Sequence, residues 1–450
     1  MSAAIVAPPL VGRRRSKILA YRKWLPIVSA AVLAVLIYGY MFHISRIAFR
    51  SNPDFSCFYR AGRMLLGGRG SDIYNLAAEQ AFDESLKSQV AVPGRLFYTL
   101  PFVFTPPTLL VFAPLAALPY QSADLVWLIM NVAILIAVPI FVSTALGLGT
   151  GGTCAAVFLP SIFPPTMWAI AEGQISIILL GIFSMLFVSL YRNRNFEAGC
   201  WIALTAIKPQ FTLPALIIAL AGRNWKAIRG VAATSLGLLL ISFYFVGWRS
   251  TLGFPATILS YSRLPVGLNG QLGEHPLDMP NIRGICYNIF VSPVSREVWV
   301  ALATAICLLL LWATYRASDV TRWFSALLVV TLLVSYHVYP HDMALLAITV
   351  PLLAYSARST GWTPGLALLA STEFACLLIP FVWHTQPQLS ETYAVWLVAI
   401  LVQTCAPILC GRCLEIARLG LRGVGLILGS SQVPHDDGHA SIEPIDGSPD

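Results

Sequence analysis

Long apolar runs constrain this chain more than any other feature. After a basic N-terminal stretch, an apolar run occupies residues 25–44, and similar runs recur as far as residue 411. A helix needs about 20 such residues to cross a bilayer, where its backbone polar groups must be bonded within the segment. Because 57% of the residues are hydrophobic and only 11% are charged, the sequence predicts an all-α, polytopic membrane protein rather than a soluble domain.

Basic residues predict the orientation of the chain. The N-terminal residues 1–24 are rich in arginine and lysine, which places them in the cytoplasm, and the following run is a retained anchor because it lacks a small-residue cleavage pattern. Residues 25–429 are then the membrane domain, with outer loops at 45–100 and 249–296. The polar tail 430–450 is predicted to be disordered and cytoplasmic. Since the basic residues cluster at span ends, the net charge of +8 does not indicate a nucleic-acid partner.

Two apolar segments are broken in the middle. Prolines interrupt residues 151–168, and Lys208-Pro209-Gln210 interrupts residues 198–221. Proline disrupts a helix, and a lysine at mid-membrane is costly unless it lines a cavity. If each segment is a pair of half-helices that enters and leaves the membrane on one side, the basic residues of the later loops lie on the cytoplasmic side. The sequence thus predicts a bundle of about 10–12 spanning or half-spanning helices, with full spans near 102–119, 123–145, 297–315, 321–337, 342–357, 363–382 and 393–411.

An aspartate follows the first span. Asn52 and Pro53 are typical of a helix start, and Gly67-Gly68 of a helix end. Asp54 then lies in the first turn, where the helix dipole favours the ionised carboxylate. The apolar residues recur at helical spacing, with Arg60 and Arg63 off that stripe, so the segment is predicted to be an amphipathic helix lying along the outer membrane surface. The simpler alternative is a surface acid that caps a helix.

Further polar groups are expected to converge with Asp54 on the outer face. They are the Glu172-Gly173-Gln174 segment, Lys208 and the turn that carries His337 and His341. Convergent ionisable groups at membrane depth indicate a functional site. Each also has a simpler interpretation: an interfacial histidine, a lysine that reaches the interface, a plain turn, and Asp342 as a helix cap.

The sequence contains no convincing set of metal ligands. Pro340 separates His337 from His341, which disfavours two ligands on one helical face, and Cys410 and Cys413 lack a second ligand pair. We therefore predict no metal and no cofactor.

This polar set suits sugar transfer from a lipid phosphate. The reaction needs a base for the acceptor hydroxyl, cations for the leaving phosphate and exclusion of water. Asp54 is the predicted base, while Lys208 and one or both of His337 and His341 can neutralise the phosphate. The loop 249–296 is either an acceptor contact or a simple connector.

Five segments, in order, resemble motifs of glycosyltransferase family 87. In NPDFSCFYRAGRMLLGGRGSDIYN, the matching residues are Asp54, Phe55, Tyr59, Ala61, Gly62, Gly67 and Tyr74. The other segments are FVFTPPTLLVFAPLAALP, EGQISIILL, LTAIKPQFTLP and SYHVYPHDMALLAI. The chain departs from the pattern at Thr105, where tyrosine is commoner, at Tyr336, which replaces proline, and in the aromatic spacing after Asp54. The resemblance spans residues 52–350.

The resemblance implies a GT-C-type membrane fold and a hexosyltransferase of the bacterial inner membrane whose site faces the periplasm. It implies a polyprenyl-phosphate sugar donor, classically of mannose, and inversion at the anomeric carbon with Asp54 as the base. The acceptor is a lipid or glycan. The residues predicted to contact the donor phosphate or substrate are Lys208, His341, His337, Gln174, Tyr59 and Arg63. A lipid-linked sugar flippase is the alternative, and an O-antigen-ligase-like enzyme using a polyprenyl diphosphate is the third possibility.

Overall fold

The computed structural model describes residues 11–49, 53–90, 100–261, 276–360, 397–398 and 401. The chain divides into two compact units, Met1–Cys405 and Ala406–Asp450. The second unit lies outside the described residues. The predicted span 363–382, most of the span 393–411, the Cys410–Cys413 pair and the tail 430–450 also lie outside them.

The all-α prediction is confirmed, since the described residues form helices and no strand. The α-helices are α1 (Val11–Phe49), α2 (Pro53–Leu66), α3 (Leu76–Val90), α4 (Leu109–Ala116), α5 (Tyr120–Ala145), α6 (Thr150–Ile162), α7 (Pro164–Glu172), α8 (Ser176–Tyr191), α9 (Asn195–Leu204), α10 (Thr212–Ala221), α11 (Trp225–Tyr261), α12 (Ile282–Ile289), α13 (Pro293–Ala317), α14 (Val320–Val334) and α15 (Thr349–Thr360). Short 3-10 segments connect several of them, and the longest is Pro340–Ile348.

Four helices among the described residues are long and apolar enough to cross a membrane. These are α5, α11, α13 and the Trp24–His43 part of α1, and the bent pair α6 and α7 brings the number to five if it is one span. Several shorter apolar helices accompany them. The prediction of a multi-pass membrane protein is therefore confirmed. The expected span 102–119 is not one helix, because its prolines confine α4 to eight residues after a 3-10 turn, Pro106–Thr108.

Both breaks predicted from the sequence are present. The α6–α7 pair bends by 57° beside Phe163. Between α9 and α10, Lys208 has extended backbone angles and separates two 3-10 turns, since Pro209 cannot donate a hydrogen bond to a continuing helix. That each pair enters and leaves on one side stays a prediction.

The segment expected as an outer loop, 249–296, is partly helical. Helix α11 continues to Tyr261, and it changes direction at Gly247, where φ is 80° and ψ is 159°. Residues with a side chain rarely adopt these angles. The second half of α11 therefore extends away from the kink as a helix rather than as a polar connector, and α12 and the start of α13 occupy the end of the same segment.

Helix α2 is largely buried against α4 and α5, and its position along the outer membrane surface stays a prediction. Phe58 stacks on Phe112 of α4 with ring centres 4.3 Å apart, and Phe55 stacks on Trp127 of α5. Arg60, expected on the polar face, is only 1% exposed. The sequence pattern was misleading for Arg60, which meets the buried carboxylates of Glu79 and Asp83 instead of water, whereas Arg63 is exposed as expected.

Candidate functional site

A cavity of about 790 Å³ lies where the α7–α8 turn, the α9–α10 break, α2 and the second half of α11 meet. Its lining includes Asp54, Gln174, Lys208, His337 and His341. The expectation that these side chains converge is therefore met. Residues 100–105 and the second half of α11 add apolar and aromatic side chains, among them Val103, Phe104, Phe254 and Ile258.

A buried ion cluster fixes α2 beside the cavity. The guanidinium of Arg60 pairs with Glu79 and with Asp83, 2.8 Å away, and also donates to the Leu100 carbonyl oxygen. The Phe102 amide donates to the same Glu79 carboxylate at 3.1 Å. Helices α2 and α3 are thus joined to the chain segment that forms one edge of the cavity. The start of α2, with Asp54, is positioned by this cluster together with its aromatic packing.

The pKa of Asp54 is raised, whereas the helix dipole alone was expected to lower it. Burial removes solvation from the carboxylate and, together with the nearby negative charge of Glu172, raises the pKa of Asp54 to about 7. His341, a hydrogen bond with Gln174 and Lys208 act in the opposite direction without cancelling the rise. Desolvation outweighs the dipole, so Asp54 changes its protonation state near neutral pH.

The turn between α7 and α8 presents two polar side chains to the cavity. Helix α7 ends at Glu172, and Gly173 follows in the left-handed region with φ of 69°. The Trp127 indole donates to the Gly173 carbonyl oxygen at 2.9 Å, and the Gln174 backbone amide donates to the Ala169 carbonyl oxygen at 2.9 Å. The turn is therefore fixed on both sides, and Glu172 and Gln174 line the cavity.

Lys208 has a buried counter-charge. Its ammonium group pairs with Asp342, and both side chains are almost fully buried. Asp342 also accepts from the Ser176 hydroxyl at 2.5 Å and from the Tyr339 amide at 3.2 Å. Asp342 thus helps to cap the 3-10 helix, as the third residue of a capping box whose N-cap is Tyr339, and it is also the ionic partner of Lys208.

The two histidines have different electrostatic environments. His341 Nδ1 lies 2.7 Å from Glu172 Oε2, and its Nε2 lies 3.7 Å from Asp342 Oδ2. Burial lowers the pKa of His341, but the Asp342 and Glu172 carboxylates outweigh it and raise that pKa overall. For His337, burial and then the charge of Lys208 lower the pKa to about 3. His341 is therefore the better cation, and His337 is a neutral imidazole.

Two residues expected at the site lie elsewhere. The Tyr59 hydroxyl donates to the Leu118 carbonyl oxygen at 2.9 Å, and the exposed Arg63 contacts the Ala116 carbonyl oxygen at 3.4 Å. Neither lines the cavity. Five residues of α-helix turn through about 140° relative to Asp54, so Tyr59 faces α4 instead.

The sequence did not single out the partners that organise the site. Glu172 was noted only as part of a polar segment, and Asp342 only as a possible cap. The available signal was electrostatic, because a buried lysine, and a buried histidine that is to carry a charge, each require a carboxylate at the same depth. Among the described residues, no group of three or more histidine, cysteine, aspartate or glutamate side chains is arranged to hold a metal ion.

The sequence model of glycosyltransferase family 87 matches residues 102–335, which is more than half of the chain. The matched region contains Gln174, Lys208 and His337, whereas Asp54 precedes it and His341 follows it. No curated protein is significantly similar to the chain.

Proposed function

The chain belongs to glycosyltransferase family 87, and on that premise we propose that it transfers a hexose, most simply mannose, from a polyprenyl-phosphate donor. The acceptor is a hydroxyl of a lipid or glycan, and the reaction takes place at the outer face of the bacterial inner membrane. Family membership makes the chain a membrane hexosyltransferase rather than a flippase. The donor, the sugar, the acceptor and the orientation are the proposed parts.

One observation carries the proposal: Asp54, Lys208 and His341 line a single cavity. They come from α2, the α9–α10 break and the 3-10 helix after α14, which lie far apart in the sequence. A base and two cationic groups in one enclosed space are what transfer from a glycosyl phosphate requires.

In the proposed reaction, the acceptor hydroxyl loses its proton to the Asp54 carboxylate while its oxygen attacks the anomeric carbon of the donor. The bond from that carbon to the phosphate oxygen breaks, and its electron pair leaves with the polyprenyl phosphate. A single displacement inverts the anomeric centre. Because the phosphate leaves without protonation, one carboxylate suffices, in contrast to the two used by glycosidases.

The electrostatics of the cavity fit this step. A pKa of about 7 for Asp54 makes it a stronger base than an ordinary carboxylate and keeps it partly ionised at neutral pH. Lys208 and a protonated His341 can balance the charge that grows on the phosphate. Lys208 already pairs with Asp342, so the donor phosphate would share the ammonium group with that carboxylate.

An amphiphilic donor also needs an apolar route to the site. The second half of α11 supplies Phe254, Ile258 and Leu259 to the cavity wall, and Leu259 is 58% exposed. This apolar wall therefore continues to the outside of the protein. We assign it to the first isoprenoid units of the donor, which enter from the bilayer.

The test is glycosyl transfer by the purified wild type and by Asp54→Asn, with polyprenyl-phosphate-mannose as donor and a membrane-lipid extract as acceptor. We expect a glycosylated product from the wild type and at least about 100-fold slower transfer by the variant, which is the usual contribution of a general base, with donor binding retained. Asp72→Asn, which changes a half-buried aspartate that does not line the cavity, is the matched control and should transfer normally.

Normal transfer by Asp54→Asn would remove that residue from the reaction. If the wild type binds no polyprenyl-phosphate sugar and makes no product, the proposed donor is wrong.

A further inference from the structure

Gln174 carries a buried hydrogen-bond acceptor that the protein does not use. The residue is 5% exposed and lines the cavity, and its Oε1 has no hydrogen-bond partner. A hydrogen bond from Gln174 is one of the causes that lower the pKa of Asp54, and an ionised carboxylate can accept such a bond only from the Gln174 nitrogen. The amide oxygen is the atom left without a partner. A buried acceptor without a partner costs free energy until a donor reaches it.

Glu172 offers a second acceptor two residues away. Its Oε2 is used by His341 at 2.7 Å, yet the side chain remains 35% exposed at the cavity. A carboxylate oxygen can accept more than one hydrogen bond, so the group has capacity for a ligand. The two side chains are held on a fixed turn, because Gly173 between them is bound by the Trp127 indole.

Gln174 Oε1 needs a hydrogen-bond donor, and an ionised phosphate is not one. Asp54, Glu172 and Gln174 present acceptors in this part of the cavity, and the cation beside them, His341, is already held by Glu172 Oε2 at 2.7 Å. An ionised phosphate ester has no hydrogen to give to Gln174 Oε1. A neutral group with several hydroxyls can satisfy these acceptors, since each hydroxyl donates one hydrogen bond.

We infer that the Glu172-Gly173-Gln174 turn is a hydroxyl-recognition subsite, in which Gln174 Oε1 and the Glu172 carboxylate accept hydrogen bonds from a hexose ring. This inference rests on the proposed function and deepens it, because it separates the cavity into a sugar end at this turn and a phosphate end at Lys208. The hexose is either the transferred sugar or a sugar of the acceptor, and both present the same chemistry.

The test compares ligands that differ only in the sugar. The full chain in lipid nanodiscs is titrated with citronellyl phosphate, citronellyl-phosphate-mannose and octyl mannoside. The quantity of interest is the ratio of the Kd for citronellyl phosphate to that for citronellyl-phosphate-mannose. Gln174→Met removes the acceptor at nearly constant volume, and we expect it to reduce this ratio by about five- to tenfold, as for one hydrogen bond. Any effect of the substitution on Asp54 weakens or strengthens both phosphates alike and cancels in the ratio.

Gln210→Met is the matched control. Gln210 also lines the cavity, but its nitrogen donates to the His337 carbonyl oxygen at 3.1 Å. This substitution should leave the ratio unchanged. A second measurement needs no variant: among monodeoxy analogues of the mannosyl phosphate, one should bind the wild type about five- to tenfold more weakly than the parent.

A reduced ratio in Gln174→Met assigns the subsite to the transferred sugar. An unchanged ratio with weaker binding of octyl mannoside assigns it to the acceptor. If Gln174→Met changes neither the Kd ratio nor the Kd for octyl mannoside, and no monodeoxy analogue binds more weakly than its parent, the assignment of the subsite is wrong even when transfer occurs. If citronellyl phosphate and its mannosyl derivative both fail to bind while octyl mannoside still depends on Gln174, the proposed donor fails and the hydroxyl subsite stands.

Discussion

Lys208 and Asp342 form an ion pair that joins the α9–α10 break to the 3-10 helix after α14, and water reaches neither side chain to a significant extent. Two charges in such surroundings stabilise the fold only as a pair, because each alone would have lost its hydration without compensation. The pair also brings Lys208 to the cavity wall. Its role in structure and its role toward a ligand can be separated by measurement.

Asp342→Asn should therefore destabilise the protein by about 3–5 kcal/mol, the usual cost of leaving a buried charge unpaired. In the double variant Lys208→Met/Asp342→Asn most of that loss should be recovered, although transfer activity should not return. Denaturant unfolding in detergent, followed by circular dichroism, measures both variants. A single variant within about 0.5 kcal/mol of the wild type, the range of ordinary surface changes, would contradict the account.

The pH dependence of transfer should report the ionisation of Asp54. A base acts only when deprotonated, so kcat/KM should rise as the pH increases through about 7, the raised pKa of Asp54. The same group favours folding in its protonated form. Its contribution to the free energy of unfolding is full below the ordinary value of 3.8 and is lost as the pH rises through about 7.

Glu172→Gln should lower the pH at which kcat/KM rises. The carboxylate of Glu172 is one of the causes that raise the pKa of Asp54, and the substitution removes its charge at constant size. The pH–rate profiles of the two proteins, measured with the same donor, test this. A midpoint that stays in place or moves upward would show that Glu172 does not act on the base.

Arg60→Met should be strongly destabilising, by about 3–5 kcal/mol. It leaves Glu79 and Asp83 buried without their cation. Because burial raises the pKa of Glu79 to about 7, the loss should be smaller at acidic pH, where Glu79 is neutral. Arg63→Met, at an exposed position of the same helix, is the control and should change the free energy of unfolding little. Equal effects of the two substitutions would contradict the buried cluster.

Gly199→Ala tests the contact of α9 with α11. A Cβ at Gly199 would lie 1.9 Å from the Ala227 carbonyl oxygen, whereas a Cβ at Gly237 on α11 meets nothing within 4 Å. We expect a loss of about 1–3 kcal/mol at the first position, as for other overpacked sites. At Gly237 the helix propensity of alanine should instead leave stability unchanged or raise it by up to about 1 kcal/mol. Denaturant midpoints that shift alike would argue against close backbone contact.

Sequence reasoning performed best where covalent constraints dominate. Proline removes a backbone donor and disfavours the helical conformation of the residue before it, so the bend beside Phe163 and the irregular backbone at Lys208 could be predicted without a structure. The rule is not absolute, because α5 continues through Pro139. A charged residue in an apolar segment needs a polar environment. Together with the distribution of basic residues, that requirement brought Asp54, Lys208 and His341 into one predicted pocket.

Sequence reasoning failed where residues distant in the chain determine the environment of a side chain. The sequence predicts that Arg60 is solvated, whereas in the structure it pairs with Glu79 and Asp83 of the next helix. The pKa of Asp54 depends on how much protein surrounds the carboxylate, which the local helix dipole does not reveal. Tyr59 matched the family motif and Arg63 was expected to contact the substrate, yet neither side chain lines the cavity.

The Lys208–Asp342 pair also has a consequence for how the enzyme is made. The two residues are 134 positions apart in the chain, so the lysine leaves the ribosome and enters the insertion machinery long before its partner exists. During that interval an uncompensated cation sits in an otherwise apolar segment, which slows its partition into lipid. The nascent chain must keep this segment in a polar environment until the later helices arrive. The cavity around Lys208 can therefore be completed only after residue 342 has been synthesised, and a chain truncated before that residue carries a lysine without its carboxylate.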